Sequence, residues 1–166
     1  TILIQNNCIR FMVKIPNEIK EFIEKQGIFA VGTVGANNLS NVSPRIFFRV
    51  DEDCIYWLDF FKHKSYKNIQ ANPWVTISVF NKEDLKGFQF RGIVSFITDE
   101  FLKSEIKESV IKKILEKNSS EKIKKLCEKD ALVIKFEPKV CYSLNPEEFS
   151  DMCIGSDIDS ANLFQK

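Results

Sequence analysis

Six short runs rich in β-branched and aromatic residues, separated by turn signals, constrain this chain more than any other feature. The runs span residues 28–34, 41–50, 54–60, 74–80, 87–98 and 131–144. Runs of this length and composition are typical of strands, and turn clusters such as residues 35–38 favour antiparallel neighbours. An antiparallel sheet removes its unpaired edges when it closes on itself. This succession of strand-like runs and turns therefore predicts a compact barrel of about six strands.

Three segments have helical spacing instead. Residues 16–26 predict a short helix that begins at Pro16 or Asn17 and ends at Gly27. Residues 64–72 predict a second helix, closed by Asn72 and Pro73. Residues 99–128 predict a charged helical insertion, broken into two helices near residues 118–120. Its apolar residues recur every four positions at Leu102, Ile106, Val110 and Ile114.

Individual residues refine the strands and the domain limits. Gly92 predicts a bulge or a close backbone approach, Pro44 prevents an uninterrupted central ladder, and Pro138 indicates a kink or an edge. We expect residues 1–15 to be an N-terminal extension and residues 16–144 to form the domain. Residues 145–166 carry five acidic residues and one base, and we expect them to be an arm, either loosely ordered or packed on a partner subunit.

Composition excludes several functional classes. The formal net charge of +1 gives no reason to expect nucleic acid or an acidic membrane as a partner. The five cysteines are scattered and form no C-x-x-C pair, which argues against a metal site and a disulfide framework and suits the cytoplasm. No apolar run approaches the roughly 20 residues that span a bilayer, and no signal peptide is evident.

The segment 61–75 carries the clearest chemical signal. Lys62, His63 and Lys64 follow a predicted strand, and Ser65 stands where a helix would be N-capped. A helix N-terminus presents free N–H groups and partial positive charge, so this turn could bind a phosphate. The alternative is that Ser65 only caps the helix and the lysines form a solvated face.

Three strings in this order resemble the FMN-binding split-barrel family, which includes the pyridoxamine-phosphate oxidases. They are VGTVGANNLSNVSPRIFFRV at 31–50, CIYWLDFFKHKSYKNIQANPWVTISVF at 54–80 and KGFQFRGIVSFIT at 86–98. The resemblance runs from about residue 28 to residue 144, with the charged helices as an insertion. It implies a mainly β fold with α insertions: a six-stranded antiparallel split β-barrel of Greek-key type with short flanking helices.

The resemblance also implies FMN as the cofactor and assigns its contacts. Lys64 and Ser65, with His63, would hold the phosphate. The strand residues Ser43, Pro44, Arg45 and Ile46 would run alongside the isoalloxazine, and Leu58 and Asp59 would line the ribityl chain or the ring. Family members usually have a neutral residue near Asp59, so its carboxylate would need Arg45 or a lysine to neutralise it.

The family's dimer buries one barrel face against another with flavin between the subunits, which implies a homodimer here. The aromatic residues Phe47, Phe48, Trp57 and Trp74 fit either that interface or a core. Trp57 alternates with Tyr56 along its strand, so only one of them faces inward. For Arg91 we expect an ion pair with a glutamate rather than a place in the flavin pocket.

Two functions from different classes are open. One is an FMN-dependent oxidoreductase or flavin reductase that uses NAD(P)H or a small substrate. The other is an FMN carrier for electron transfer or sensing. A third reading is a barrel that prefers haem or a deazaflavin. The tail lacks the arginine- and histidine-rich motif of true pyridoxamine-phosphate oxidases, so we reject that activity. No catalytic residue is assigned, since His63 is the only histidine.

Overall fold

The computed structural model describes residues 14–118, 120–147 and the backbone of 153–156. Its helices are α1 (Asn17–Gln26), α2 (Lys64–Ala71), α3 (Glu100–Lys117) and α4 (Glu121–Cys127). Its strands are β1 (Phe29–Val34), β2 (Ser40–Arg45), β3 (Phe48–Val50), β4 (Ile55–Asp59), β5 (Trp74–Asn81), β6 (Lys86–Phe96), β7 (Leu132–Ser143) and β8 (Cys153–Ser156). Most of the predicted N-terminal extension and most of the acidic tail lie outside these residues.

The described strands form one antiparallel sheet whose two end strands are neighbours in the chain. The order is β2-β1-β5-β6-β7-β4-β3, and β8 pairs with β7 beside this path. Only Ile46 and Phe47 separate β2 from β3, although these strands stand at opposite ends of the order. The three Cα–Cα steps from Arg45 to Phe48 span about 11 Å at most, so the sheet must curl until its ends meet. This curled, mainly β half-barrel confirms the predicted split barrel, and we call the line between β2 and the β3–β4 hairpin the seam.

The strand count differs from the predicted six. The predicted second strand, 41–50, is two strands: β2 pairs with β1, whereas β3 pairs with β4. The chain changes partner at Ile46 because a single straight strand could not serve both ends of the curled sheet. Pro44 lies in β2, which has one neighbour among the described strands, and an edge strand of this kind tolerates a proline. An eighth short strand, β8, lies within the segment that was expected to be an arm.

The predicted irregularities at Gly92 and Pro138 occur together. The register of β6 against β7 shifts between Arg91 and Gly92, where Gly92 faces Pro138. A Cβ on Gly92 would overlap the Glu137 carbonyl oxygen and lie 2.7 Å from the Phe136 ring. β7 is not an edge strand, because it also pairs with β4 before the proline and with β8 after it. Pro138 falls between those two pairings, so its missing N–H costs no ladder bond there.

The sheet is covered on both faces. Trp57 is fully buried inside the half-barrel, together with Phe29 and Phe136. Tyr56 points the other way and is buried in a second cluster with Ile106 and other residues of the α3–α4 insertion. The alternation of Tyr56 and Trp57 is therefore confirmed. The α3–α4 insertion covers the outer face of the sheet, toward which Tyr56 points. No described helix is both long and apolar enough to cross a membrane.

Three predicted helical features are confirmed. α1 ends at Gly27, which has a left-handed φ of 67°. The insertion divides at the predicted break, with Asn118 as the C-cap of α3 and Ser120 as the N-cap of α4. Within α3, Ile106 and Val110 are fully buried, and Leu102 and Ile114 pack at the margin of the same cluster.

We predict that Gly92→Ala lowers the free energy of unfolding by about 1–3 kcal/mol, the usual cost of overpacking a close contact. Gly32→Ala is the matched control, because a Cβ there meets only ordinary contacts at 3.7 Å from Thr76. Urea denaturation followed by circular dichroism measures both. Equal stability of the two variants would contradict the close approach at Gly92.

Candidate functional site

A cleft of about 600 Å³ opens at the seam, bounded by β2, the end of β4 and the start of α2. All nine residues predicted to bind the cofactor line it: Ser43, Pro44, Arg45, Ile46, Leu58, Asp59, His63, Lys64 and Ser65. They come from three separate segments, which the curl of the sheet brings together. Their placement in one cleft is therefore a structural fact, whereas their contact with FMN stays a prediction.

The start of α2 differs from the predicted capping arrangement. The helix begins at Lys64, so His63 occupies the N-cap position and makes no side-chain hydrogen bond to the first turn. Ser65 lies inside the helix and does not cap it. Without a capping side chain, the first N–H groups of α2 remain available to an acceptor, and the helix dipole adds partial positive charge.

The Ser65 hydroxyl instead ties α2 to β2. It accepts a hydrogen bond from Asn41 Nδ2 at 3.0 Å and lies 3.0 Å from the Ser43 hydroxyl oxygen. Ser43 in turn accepts from the Arg45 guanidinium at 2.8 Å. Asn41, Ser43 and Arg45 share one face of β2, because side chains alternate along a strand. That period-two pattern was the available signal for Asn41, which the sequence analysis missed.

A buried ion pair crosses the seam. Arg45 Nε lies 2.7 Å from Asp59 Oδ1, and an Arg45 terminal nitrogen donates to Asp59 Oδ2 at 3.1 Å. Only about a tenth of either side chain is exposed (11% and 10%). Burial raises the pKa of the Asp59 carboxyl, and the Arg45 guanidinium opposes that rise. The neutralising partner that Asp59 was expected to need is therefore Arg45 rather than a lysine.

Exposed aromatic and basic side chains form the rim of the cleft. The His63 ring stacks on Phe61 with centroids 5.4 Å apart and planes 25° apart. Lys62 Nζ lies 5.4 Å from the Tyr66 ring centroid. Neither lysine of the pair Lys62 and Lys64 has an ion-pair partner within the part of the chain that the structure describes. The rim therefore carries positive charge that favours binding of an anion.

Seven further lining residues besides Asn41 were not among the predicted cofactor contacts: Phe47, Phe60, Phe61, Lys62, Tyr66, Lys67 and Leu126. Most are sequence neighbours of the predicted set. Leu126 is different because it belongs to α4, and nothing in the sequence showed that the insertion reaches the cleft. In residues 14–118 and 120–147, no group of three or more His, Cys, Asp or Glu side chains is placed to hold a metal ion.

Arg91 and Trp74 lie away from the cleft. Arg91 stacks over the Tyr142 ring at 5.4 Å, and no ion pair between it and a glutamate occurs in the described residues. Trp74 is 43% exposed, whereas Phe47, Phe48 and Trp57 are buried in the two clusters. Of the four aromatic residues that fitted either an interface or a core, only Trp74 is available to an interface.

Comparison with known proteins agrees with this architecture. Residues 15–145 match the family model described as pyridoxamine 5'-phosphate oxidase. The chain belongs to this family. A search of curated proteins found no significant match.

Solved structures of the same fold are distant in sequence. HupZ of Group A Streptococcus superposes with a TM-score of 0.61 at 20% identity, over 80% of this chain and 95% of that chain. HutZ of Vibrio cholerae, described as a heme storage protein, gives 0.57 at 24% identity, over 76% and 92%. A structure described as F420 reductase gives 0.58 at 20% identity, over 76% and 98%. At these identities the likeness shows the fold alone.

We predict that Arg45→Met lowers the free energy of unfolding at neutral pH by about 3–5 kcal/mol, because it leaves the Asp59 carboxylate buried without a partner. Without Arg45, the folded-state pKa of Asp59 rises further above its unfolded value. Folding of the variant then favours the protonated carboxyl, so its deficit relative to wild type shrinks as the pH falls toward the unfolded pKa.

Urea denaturation at several pH values measures the deficit. Lys14→Met is the control, because it removes the cation of the exposed Lys14–Glu52 pair and should change little at any pH. The double variant Arg45→Met with Asp59→Leu should regain much of the lost stability. A deficit that does not vary with pH would contradict the role assigned to Asp59.

Proposed function

We propose that the chain is a flavoprotein that binds FMN in the cleft and uses it as an oxidoreductase acting on a small substrate. The observation that carries this proposal is the uncapped first turn of α2, which opens into the 600 Å³ cleft between Lys64 and the buried Ser65 network. A cleft of this volume is within the roughly 300–1,000 Å³ range of small-molecule sites.

The charges at the mouth suit a phosphate. Lys62 and Lys64 are exposed, and Asp59 is the one carboxylate among the described lining residues. Because Arg45 neutralises Asp59, that carboxylate does not repel an incoming anion strongly. Free backbone N–H groups, partial positive helix charge and a lysine together are the usual elements of a phosphate site.

The wall formed by β2 suits the flat ring. Among the strands that the structure describes, β2 pairs with β1 alone, so its backbone groups facing the seam have no ladder partner there. They are available to the polar edge of an isoalloxazine, while Ile46 and Leu58 offer apolar surface beside them. When bound, FMN supplies the redox chemistry, and the residues of this chain bind and orient it.

A deazaflavin or haem is the competing ligand, since relatives of this fold are described as an F420 reductase and a heme storage protein. Haem needs an axial ligand such as a histidine, a cysteine or a tyrosine, and the described lining of the cleft offers only His63 and Tyr66. The His63 ring is stacked on Phe61 and the Tyr66 hydroxyl accepts from Gln70, which favours FMN over haem as the occupant of this cleft.

We also propose that the protein is a homodimer with the flavin at the subunit interface. Leu39 and Val42, at the edge of the sheet beside the cleft, are 68% and 70% exposed. A second copy laid on β2 would cover this apolar surface and close the seam side of the cleft. Support for the dimer is this juxtaposition of exposed apolar residues with an open site.

We predict that the purified protein is yellow, with the two-band absorption of oxidised flavin, and that mass spectrometry of the released cofactor gives FMN. Lys64→Ala should weaken FMN by roughly tenfold, as expected for a charge-assisted phosphate contact, and leave riboflavin nearly unchanged. Lys82→Ala, an exposed lysine outside the cleft, is the control. Fluorescence titration of the three apoproteins with FMN and with riboflavin measures the six affinities.

The same preparation separates the alternatives. A Soret-dominated spectrum, or a colourless protein that ignores added FMN, would refute the flavin proposal. Equal losses for FMN and riboflavin in Lys64→Ala would refute the phosphate site alone. Loss of the flavin absorbance on anaerobic addition of NADH or NADPH favours an enzyme, and no reaction with either favours an FMN carrier.

We predict a mass near twice 19.2 kDa by light scattering. Val42→Asp should shift the protein to monomer and weaken FMN, because it places a charge in the proposed interface. Leu85→Asp is the control, since Leu85 is 54% exposed and does not line the cleft. A wild-type monomer that retains FMN would show that the site is complete within one chain.

A further inference from the structure

A second cavity of about 270 Å³ lies where α1, α3 and α4 meet the link between β2 and β3. Its apolar lining consists of Ile46, Phe48, Ile114 and Ile123. We propose that this cavity binds a small amphipathic carboxylic acid, with its apolar body against these residues and its carboxylate at Lys117. The proposal does not rest on FMN binding, because the cavity shares only Ile46 with the cofactor cleft.

The apolar residues of the lining come from β3, α3, α4 and the link between β2 and β3. Phe48 is buried, and its ring packs on Phe29 with centroids 4.8 Å apart. Ile114 and Ile123 pack at the margin of the cluster beneath the insertion, and Ile46 is 38% exposed. A ligand that covers this surface gains free energy from removing it from water.

The charged residues that line the cavity favour an anionic ligand. Lys113 Nζ lies 2.9 Å from Glu24 Oε1, so these two lining residues neutralise each other. Lys117 lies one turn further along α3, lines the same cavity and has no ion-pair partner among residues 14–118 and 120–147. Its full charge outweighs the partial negative charge at the end of α3. One unpaired cation favours a monoanion over a polyanion.

Asn118 adds a hydrogen-bond donor at the mouth. Its Oδ1 accepts from the Ser120 backbone N–H at 3.0 Å, which orients the amide and leaves Nδ2 to donate. A carboxylate accepts from both an ammonium and an amide N–H. The volume, below the usual roughly 300 Å³ of drug-sized sites, limits the ligand to one ring or a short branched chain.

The test titrates 3-phenylpropanoate into protein labelled at the isoleucine δ1 methyl groups and compares it with the neutral 3-phenylpropanamide. Methyl NMR should show saturable shifts at Ile46, Ile114 and Ile123, with Ile77 in the barrel core unmoved. The acid should bind more tightly than the amide. Absence of saturable shifts with either probe, or equal affinities for both, would overturn the proposal.

Two variants locate the carboxylate. Lys117→Gln should weaken the acid by roughly three- to fivefold and leave the amide unchanged, as expected for an exposed charge pair. Lys112→Gln, an exposed lysine on the same helix outside the cavity, should change neither. Loss on Lys64→Ala in place of Lys117→Gln would assign the acid to the cofactor cleft and overturn the proposal.

A third variant, Ile123→Phe, fills the cavity and should abolish binding of both probes if its circular dichroism is that of the wild type. If it does not fold, the Lys117→Gln comparison decides the matter, because an exposed lysine can be replaced without disturbing the core. Retained binding of the acid by folded Ile123→Phe would contradict the assigned position.

Discussion

The ion pair between Arg45 and Asp59 holds together the two edges on which this fold depends. Arg45 ends β2, the first strand of the sheet order, and Asp59 ends β4 near the opposite end. The link of Ile46 and Phe47 brings these edges together, and the ion pair joins them across the seam at 2.7 Å. A buried pair of this kind contributes little net stability, but breaking it leaves a charge without a partner. We therefore expect its main effect to be on the position at which β2 meets the end of β4.

The candidate site exists because the half-barrel does not close completely at the seam. A fully closed barrel would pair both sides of β2, whereas within the described strands one side of β2 faces the seam without a ladder partner. The Ser65 hydroxyl anchors the start of α2 against Asn41 and Ser43, so the helix end that we propose as the phosphate site lies at one side of the same opening. The side chains of Asn41, Ser43 and Ser65 thus join the start of α2 to β2 at the open side of the half-barrel. The second cavity lies on the far side of Ile46, where the α3–α4 insertion packs against α1 and the link between β2 and β3.

Local patterns predicted most elements, and contacts between distant segments account for what they missed. Strand composition and the break in the insertion depend on short-range chemistry, and a glycine within a strand pattern indicated the bulge at Gly92; the structure confirms all three. The division of 41–50 was not predictable, because a strand that changes partners has the same composition as one that does not. The capping role of Ser65 was wrong because the sequence does not define a helix start to better than one or two residues. Leu126 lines the cleft because α4 packs beside it, and no local sequence pattern predicts that contact.

Family membership and the cleft follow from observation, whereas FMN is our proposal for what the cleft binds. The most direct test is a crystal structure of the protein grown with FMN. The account predicts phosphate oxygens within roughly 2.7–3.1 Å of backbone N–H groups in the first turn of α2 and of the Lys64 ammonium. It also predicts the ring along Ser43–Ile46. A flavin bound elsewhere, or one with its phosphate directed away from α2, would contradict the central claim.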